Sequence, residues 1–110
     1  MLQPESSARI VLTTADPEEA GRLGRTLVEE RLAACATVVP GAHSIYHWQG
    51  EIESATESVL LLKTTADKLA ALEARLHELH NYTNPEFLVL PVEAGSKSYL
   101  EWLQRCMRES

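Results

Sequence analysis

The four residues Thr-Thr-Ala-Asp occupy positions 13–16 and recur at positions 64–67, an offset of 51 residues. Each copy closes an apolar run and opens a segment of helical spacing that is followed by another extended segment. Four matching residues are a small sample, but the matching context makes coincidence a poor explanation. Two strand-helix-strand units in tandem, joined by a hairpin, give the order β-α-β-β-α-β, the split or ferredoxin-like arrangement. In that arrangement a four-stranded antiparallel sheet carries both helices on one face, and its other face needs a cover. The 51-residue period therefore limits the chain to one α+β sandwich.

The segments follow from local patterning. Residues 9–15, "RIVLTTA", are rich in β-branched and aliphatic side chains and suit a buried strand. Asp16, Pro17 and Glu19 then make a helix start, with Asp16 as cap and Glu19 at capping-box spacing. Ala20, Leu23, Leu27, Val28 and Leu32 recur at helical intervals, which predicts a helix ending near Leu32. Residues 33–48 read as extended, "WQGE" as a turn, and 52–65 as a strand passing from polar alternation into a continuous apolar run. A second helix is expected over 66–80 on the stripe Leu69, Leu72, Leu76 and Leu79. After "NYTNPE", a fourth strand is expected over 87–92, then a short terminal helix capped by Ser96 or Ser98. Residues 1–8 lack periodicity and read as a loose arm before a single domain over 9–110.

The two middle strands exceed the roughly 5–6 residues of an ordinary strand. Such a hairpin projects beyond the sheet with its edges bare, and bare edges are normally paired, which predicts a homo-oligomer. The size of the chain agrees, because 110 residues leave a modest core.

Charge narrows the partners. Ten Lys and Arg against sixteen Asp and Glu leave a formal charge of -6, and the arginines lie scattered among acids, so nucleic acid is not an expected partner. No stretch approaches the ~18 apolar residues of a membrane span, and no signal-like opening precedes the first strand; a soluble cytoplasmic protein is the expectation. The two cysteines, Cys35 and Cys106, do not have the spacing of a disulfide framework and are read as free thiols.

Coordinating side chains crowd into 35–48, "CATVVPGAHSIYHW". His43 and His47 are four positions apart, which in a strand is about 13 Å on one face, too far for one ion. Exposed or interface histidines are the simpler reading. Cys35 can be a thiolate ligand for Cu(I) or Zn(II), a nucleophile, or a packed apolar residue in "AACA". His77 and His80 sit near a helix C-terminus, where imidazolium is favoured. Lys63 ends an apolar strand, the position of a snorkelling edge residue. No glycine-rich phosphate loop, Ser/His/Asp order or paired-carboxylate motif is present, so no enzyme is expected.

Residues 30–53 ("ERLAACATVVPGAHSIYHWQGEIE"), 60–65 ("LLLKTT") and 85–103 ("PEFLVLPVEAGSKSYLEWL"), with the opening "TTADPEEA", resemble the CutA divalent-cation-tolerance family. The resemblance covers the chain from Val11 to Leu103. It implies a ferredoxin-like fold assembled as a homotrimer through the long hairpin, a cytoplasmic location, and an association with tolerance of copper and other divalent ions. It implies no organic cofactor and no catalytic residue. A cleft between subunits is expected to gather Cys35, Trp48, Glu57, Lys63, Tyr82, Tyr99 and Trp102, with Lys63 holding an anion or pairing with Glu57 or Glu86. Cys35 and His80 are the expected ligands for copper or another divalent cation, bound reversibly. The alternative is a regulatory or scaffold trimer that senses a small molecule in that cleft, as the similarity of the fold to PII signalling proteins suggests. The chain departs from the family in two places. Asn81 stands where His-Pro-Tyr is usual, and Thr13 stands where copper-holding members carry a cysteine, a hydroxyl being a poor ligand for a soft ion.

Overall fold

In the computed structural model, which describes residues 2–4 and 7–108, ten elements follow one another. Strand β1 spans Leu2–Pro4, β2 Ala8–Ala15, α1 Pro17–Glu29, β3 Cys35–Trp48 and β4 Glu51–Thr65. A 3-10 turn at Ala66–Lys68 leads into α2, Leu69–Leu79; then come β5, Leu88–Pro91, β6, Ala94–Ser96, and α3, Lys97–Arg108. The main sheet has the order β3-β4-β2-β5 with every neighbouring pair antiparallel. That is the ferredoxin-like topology, with the two repeat units side by side.

Alternation along the strands divides the sheet. Val11 and Ala15 of β2 and Leu60 and Leu62 of β4 face α1 and α2, where they meet Leu23, Leu27, Leu72 and Leu76 in one buried core. Helix α1 comes closest at Gly24, where a Cβ would lie 3.0 Å from that of Ala36. A larger residue there would push the helix off the sheet. The opposite face holds Ile10, Leu12, Val59 and Leu61, each half-buried, and α3 covers only its end, packing Leu100, Leu103 and Met107 around Ala8.

The long hairpin is confirmed, and its geometry has two causes. At the tip, Gln49 and Gly50 both take positive φ, 50° and 83°, the two-residue turn whose twist matches paired strands. At its base the register slips between Val39 and Ala42. Pro40 lacks a ladder N–H and Gly41 takes φ +82°, the requirements of a bulge. The bulge absorbs one residue, so Cys35, Thr37 and Val39 share a face with Ala42, Ser44, Tyr46 and Trp48, opposite Lys63, Leu61, Val59, Glu57, Ala55, Glu53 and Glu51 in turn. Strict alternation would have joined Cys35 with His43 and His47 instead.

Several expectations change. The segment read as a loose arm contains β1, paired with β6 from Leu2↔Ser96 to Pro4↔Ala94, and Ala8 already belongs to the main sheet; three residues without apolar periodicity gave no strand signal. Helix α1 ends at Glu29 rather than near Leu32, because Arg31 adopts φ 62° and the Leu32 and Arg31 amides return to the Leu27 and Val28 carbonyls, a Schellman closure. Asp16 makes no side-chain cap bond. Its backbone carbonyl accepts the Glu19 and Ala20 amides, which leaves its carboxylate for other partners.

Candidate functional site

The strand residues expected in a cleft lie on the open face of the sheet, but at two separate places. Near the start of β3, the Lys63 ammonium lies 3.8 Å from the Cys35 sulfur and 5.8 Å from the centre of the Tyr99 ring. Tyr99 in turn packs on Trp102 at 5.3 Å. β4 supplies Lys63, the first residue of β3 supplies Cys35, and one turn of α3 supplies both aromatics, Tyr99 exposed and Trp102 half-buried against Leu100, Leu103 and Met107. Cys35 and Trp102 also border an apolar groove of ≈ 590 Å³ along the β3 edge, walled by Gly21, Gly24 and Val28 of α1. Both cysteines are free.

Six residues away along β4, about 20 Å at the strand rise, lies the second place. Here Glu57 is only 6% exposed, and the Tyr82 hydroxyl donates to its Oε2 at 2.7 Å. The same hydroxyl lies 3.2 Å from Asp16 Oδ1, and Asn81 Nδ2 donates to Asp16 Oδ2 at 3.0 Å. Thr13, fully buried, donates to the Glu86 carbonyl at 2.5 Å and so ties the 81–87 segment to β2. Around these groups opens a cleft of ≈ 740 Å³, with Tyr46, Trp48, Glu57, Tyr82 and Glu86 on its walls and no Lys or Arg among the described lining residues.

Electrostatics follow from that crowding. Burial first, then the hydrogen bond and charge of Glu57 and the charge of Asp16, push the Tyr82 phenol far above its ordinary value; it remains a donor at any ordinary pH. Burial and then the negative charge of Glu57 raise the Glu86 carboxyl. A single phenolic proton between two carboxylates, with a third nearby, leaves an opening of negative potential walled by aromatic rings. Such a surface attracts cations, both metal ions and organic ammonium groups.

Two of the expected pairings are not brought together within one chain. Lys63 does not reach Glu57 or Glu86, because the strand register separates them, and its neighbours are a thiol and a ring. Cys35 and His80 do not share an ion within one chain. His80 bonds the Thr14 carbonyl at 2.7 Å; Thr14 pairs with Val59, four residues and about 13 Å along β4 from Lys63, the partner of Cys35. Among the described residues no three His, Cys, Asp or Glu side chains gather closely enough to hold a metal. Sequence reasoning missed Asp16, assigned to a helix cap, and missed that Asn81 supplies a hydrogen bond a proline could not make. The one available signal was that departure from His-Pro-Tyr.

No described helix is long and apolar enough to cross a membrane. Residues 8–106 match the family model described as CutA1 divalent ion tolerance protein. The divalent-cation tolerance protein CutA of Thermus thermophilus is 48% identical over 86% of this chain and 93% of its own length. The CutA structure from Synechococcus elongatus superposes with a TM-score of 0.93 at 39% identity, covering 97% of this chain and 96% of that one. A protein from Nostoc sp. described as PII-like CutA, in apo form, superposes at 0.85 with 37% identity, covering 91% and 97%. By the family match across nearly its whole length and by these identities, the chain belongs to the CutA1 divalent ion tolerance family.

Proposed function

We propose that this protein serves divalent-cation tolerance as a non-catalytic, cytoplasmic homotrimer that binds a divalent ion reversibly in the acidic cleft around Glu57, Glu86 and Tyr82. The observation that carries the reading is the set of carboxylates facing one opening with no lining Lys or Arg. Carboxylate and phenol oxygens suit a divalent ion such as Mn(II), Zn(II) or Cu(II) better than Cu(I), which prefers sulfur. This reading takes, in place of copper at Cys35 and His80, a divalent ion held through oxygen, its remaining positions filled by water or by a neighbouring copy. Assembly is supported by the bare open face, where Val39, Leu88 and Leu90 are 46%, 54% and 45% exposed. Among the described residues the outer strands of the sheet, β3 and β5, have no neighbour beyond them, the arrangement that head-to-tail copies close into a ring.

Titration calorimetry with Zn(II) and Cu(II) tests the ion site. Glu57→Gln is expected to weaken binding at least tenfold and Cys35→Ser to leave it unchanged; the reverse pattern places the ion on the thiol and overturns the reading. Light scattering should give the mass of three chains, and a one-chain mass at micromolar concentration would remove the assembly. Cell fractionation tests the compartment.

A second reading has its own support. The same cleft would take an organic ammonium between Trp48 and the carboxylates, in keeping with the likeness to the PII-like Nostoc protein. Thermal shifts with small amines exceeding those with metal ions would favour it.

A further inference from the structure

His80 is 9% exposed, and both of its ring nitrogens are already engaged. Nδ1 accepts the Tyr82 backbone N–H at 3.1 Å; a nitrogen that accepts carries no proton. Nε2 lies 2.7 Å from the Thr14 carbonyl oxygen, which can only accept, so Nε2 must donate. One protonation state satisfies both contacts, the neutral imidazole with its proton on Nε2. A metal ion on either nitrogen would require breaking one of these bonds and taking from a half-buried backbone group of Thr14 or Tyr82 the partner it has here.

The ring joins three elements. His80 closes α2, with its own amide returning to the Leu76 carbonyl; its Nε2 reaches β2, and its Nδ1 fixes the backbone of the residue whose phenol enters the cleft. The two rings also pack at 4.5 Å. Tyr82 is thereby held from its backbone and its face while its hydroxyl reaches Glu57.

We propose that His80 is a positioning residue, held as the Nε2–H imidazole, that sets the Tyr82 phenol against Glu57 in the cleft, and that it is not a metal ligand. The assignment rests on the acidic cleft being the binding site, but its decisive test does not. Long-range 15N–1H correlation spectra of the uniformly labelled protein should show His80 with one protonated nitrogen, Nε2, and that pattern should survive saturation with Zn(II). An Nδ1–H pattern, or loss of the Nε2 proton on adding Zn(II), overturns the proposal.

Variants supply the functional arm. His80→Asn keeps an acceptor near Nδ1 and should hold Zn(II) affinity within about threefold of the parent. His80→Leu removes the acceptor and should weaken affinity about tenfold, the equivalent of one hydrogen bond, with the circular dichroism spectrum unchanged. Equal affinity in all three proteins would sink the positioning role. If Glu57→Gln leaves Zn(II) binding intact while His80 keeps its Nε2 proton on saturation, the cleft assignment fails and the tautomer stands, so the two failures are told apart.

Discussion

The two faces of the main sheet are made of similar side chains and have different fates. Toward α1 and α2, Val11, Leu60 and Leu62 are completely buried, because the same chain supplies the helices that cover them. On the other side Val39, Leu88 and Leu90 remain about half exposed, because α3 reaches only the end nearest Ala8. The first face accounts for why the chain folds. The second is the surface on which the proposed assembly rests, since exposed apolar patches of this kind mark sites of association.

Substitutions on the two faces should therefore fail in different ways. Leu60→Ala, on the covered face, is expected to lower stability by about 2–5 kcal/mol, measured by denaturant unfolding, with association following the loss of fold. Leu90→Lys, on the bare face, should leave a folded chain of one-chain mass by light scattering. If Leu90→Lys unfolds the protein, or has the same mass as the parent assembly, the contrast between the faces is wrong. Tyr82→Phe removes the phenolic bond to Glu57 beside the bare face and should reduce stability by about 1 kcal/mol, while weakening cation binding more than it weakens the fold.

The smallest effect concerns acidity. Folding raises the proton affinity of Glu86 through burial and then through Glu57. Its contribution to stability is fully present below the ordinary carboxylate value of 4.5 and is lost as pH rises through the raised value. Glu86→Gln should flatten the decline in stability between the ordinary and the raised value, seen as unfolding midpoints across a pH series. An unaltered slope would place the acid-sensitive group elsewhere.

The topology was legible in the sequence because it rests on repetition and period: two apolar runs, two helix starts and a turn at "WQG". The two repeat copies nevertheless play different parts. Asp67 accepts the Thr65 hydroxyl at 2.6 Å beside the second helix start, whereas Asp16 turns its carboxylate to Asn81 and Tyr82. Local spacing cannot distinguish these, since the second fate depends on a loop 65 residues away. The site was legible as a set of residue types and not as a constellation. Cys35, Glu57, Lys63 and Trp48 do share a face, but their order along β4, which one chain's pattern does not emphasise, keeps the thiol and the carboxylates apart. The state of His80 was out of reach for the same reason, because a tautomer is set by partners and not by neighbours in sequence.

The kink at Pro40 and Gly41 decides which chemistry the projecting ribbon displays. Were a β-branched residue at position 41 to iron it flat, simple alternation would bring His43 and His47 round to the side of Cys35 and turn Tyr46 and Trp48 away from it. Weaker cation binding in Gly41→Val, as Tyr46 and Trp48 leave the wall of the acidic cleft, would be the signature of that exchange, and unaltered binding would show that the ribbon keeps its phase by other means. One left-handed residue thus sets which of the side chains in these fourteen positions turn toward the open side of the sheet.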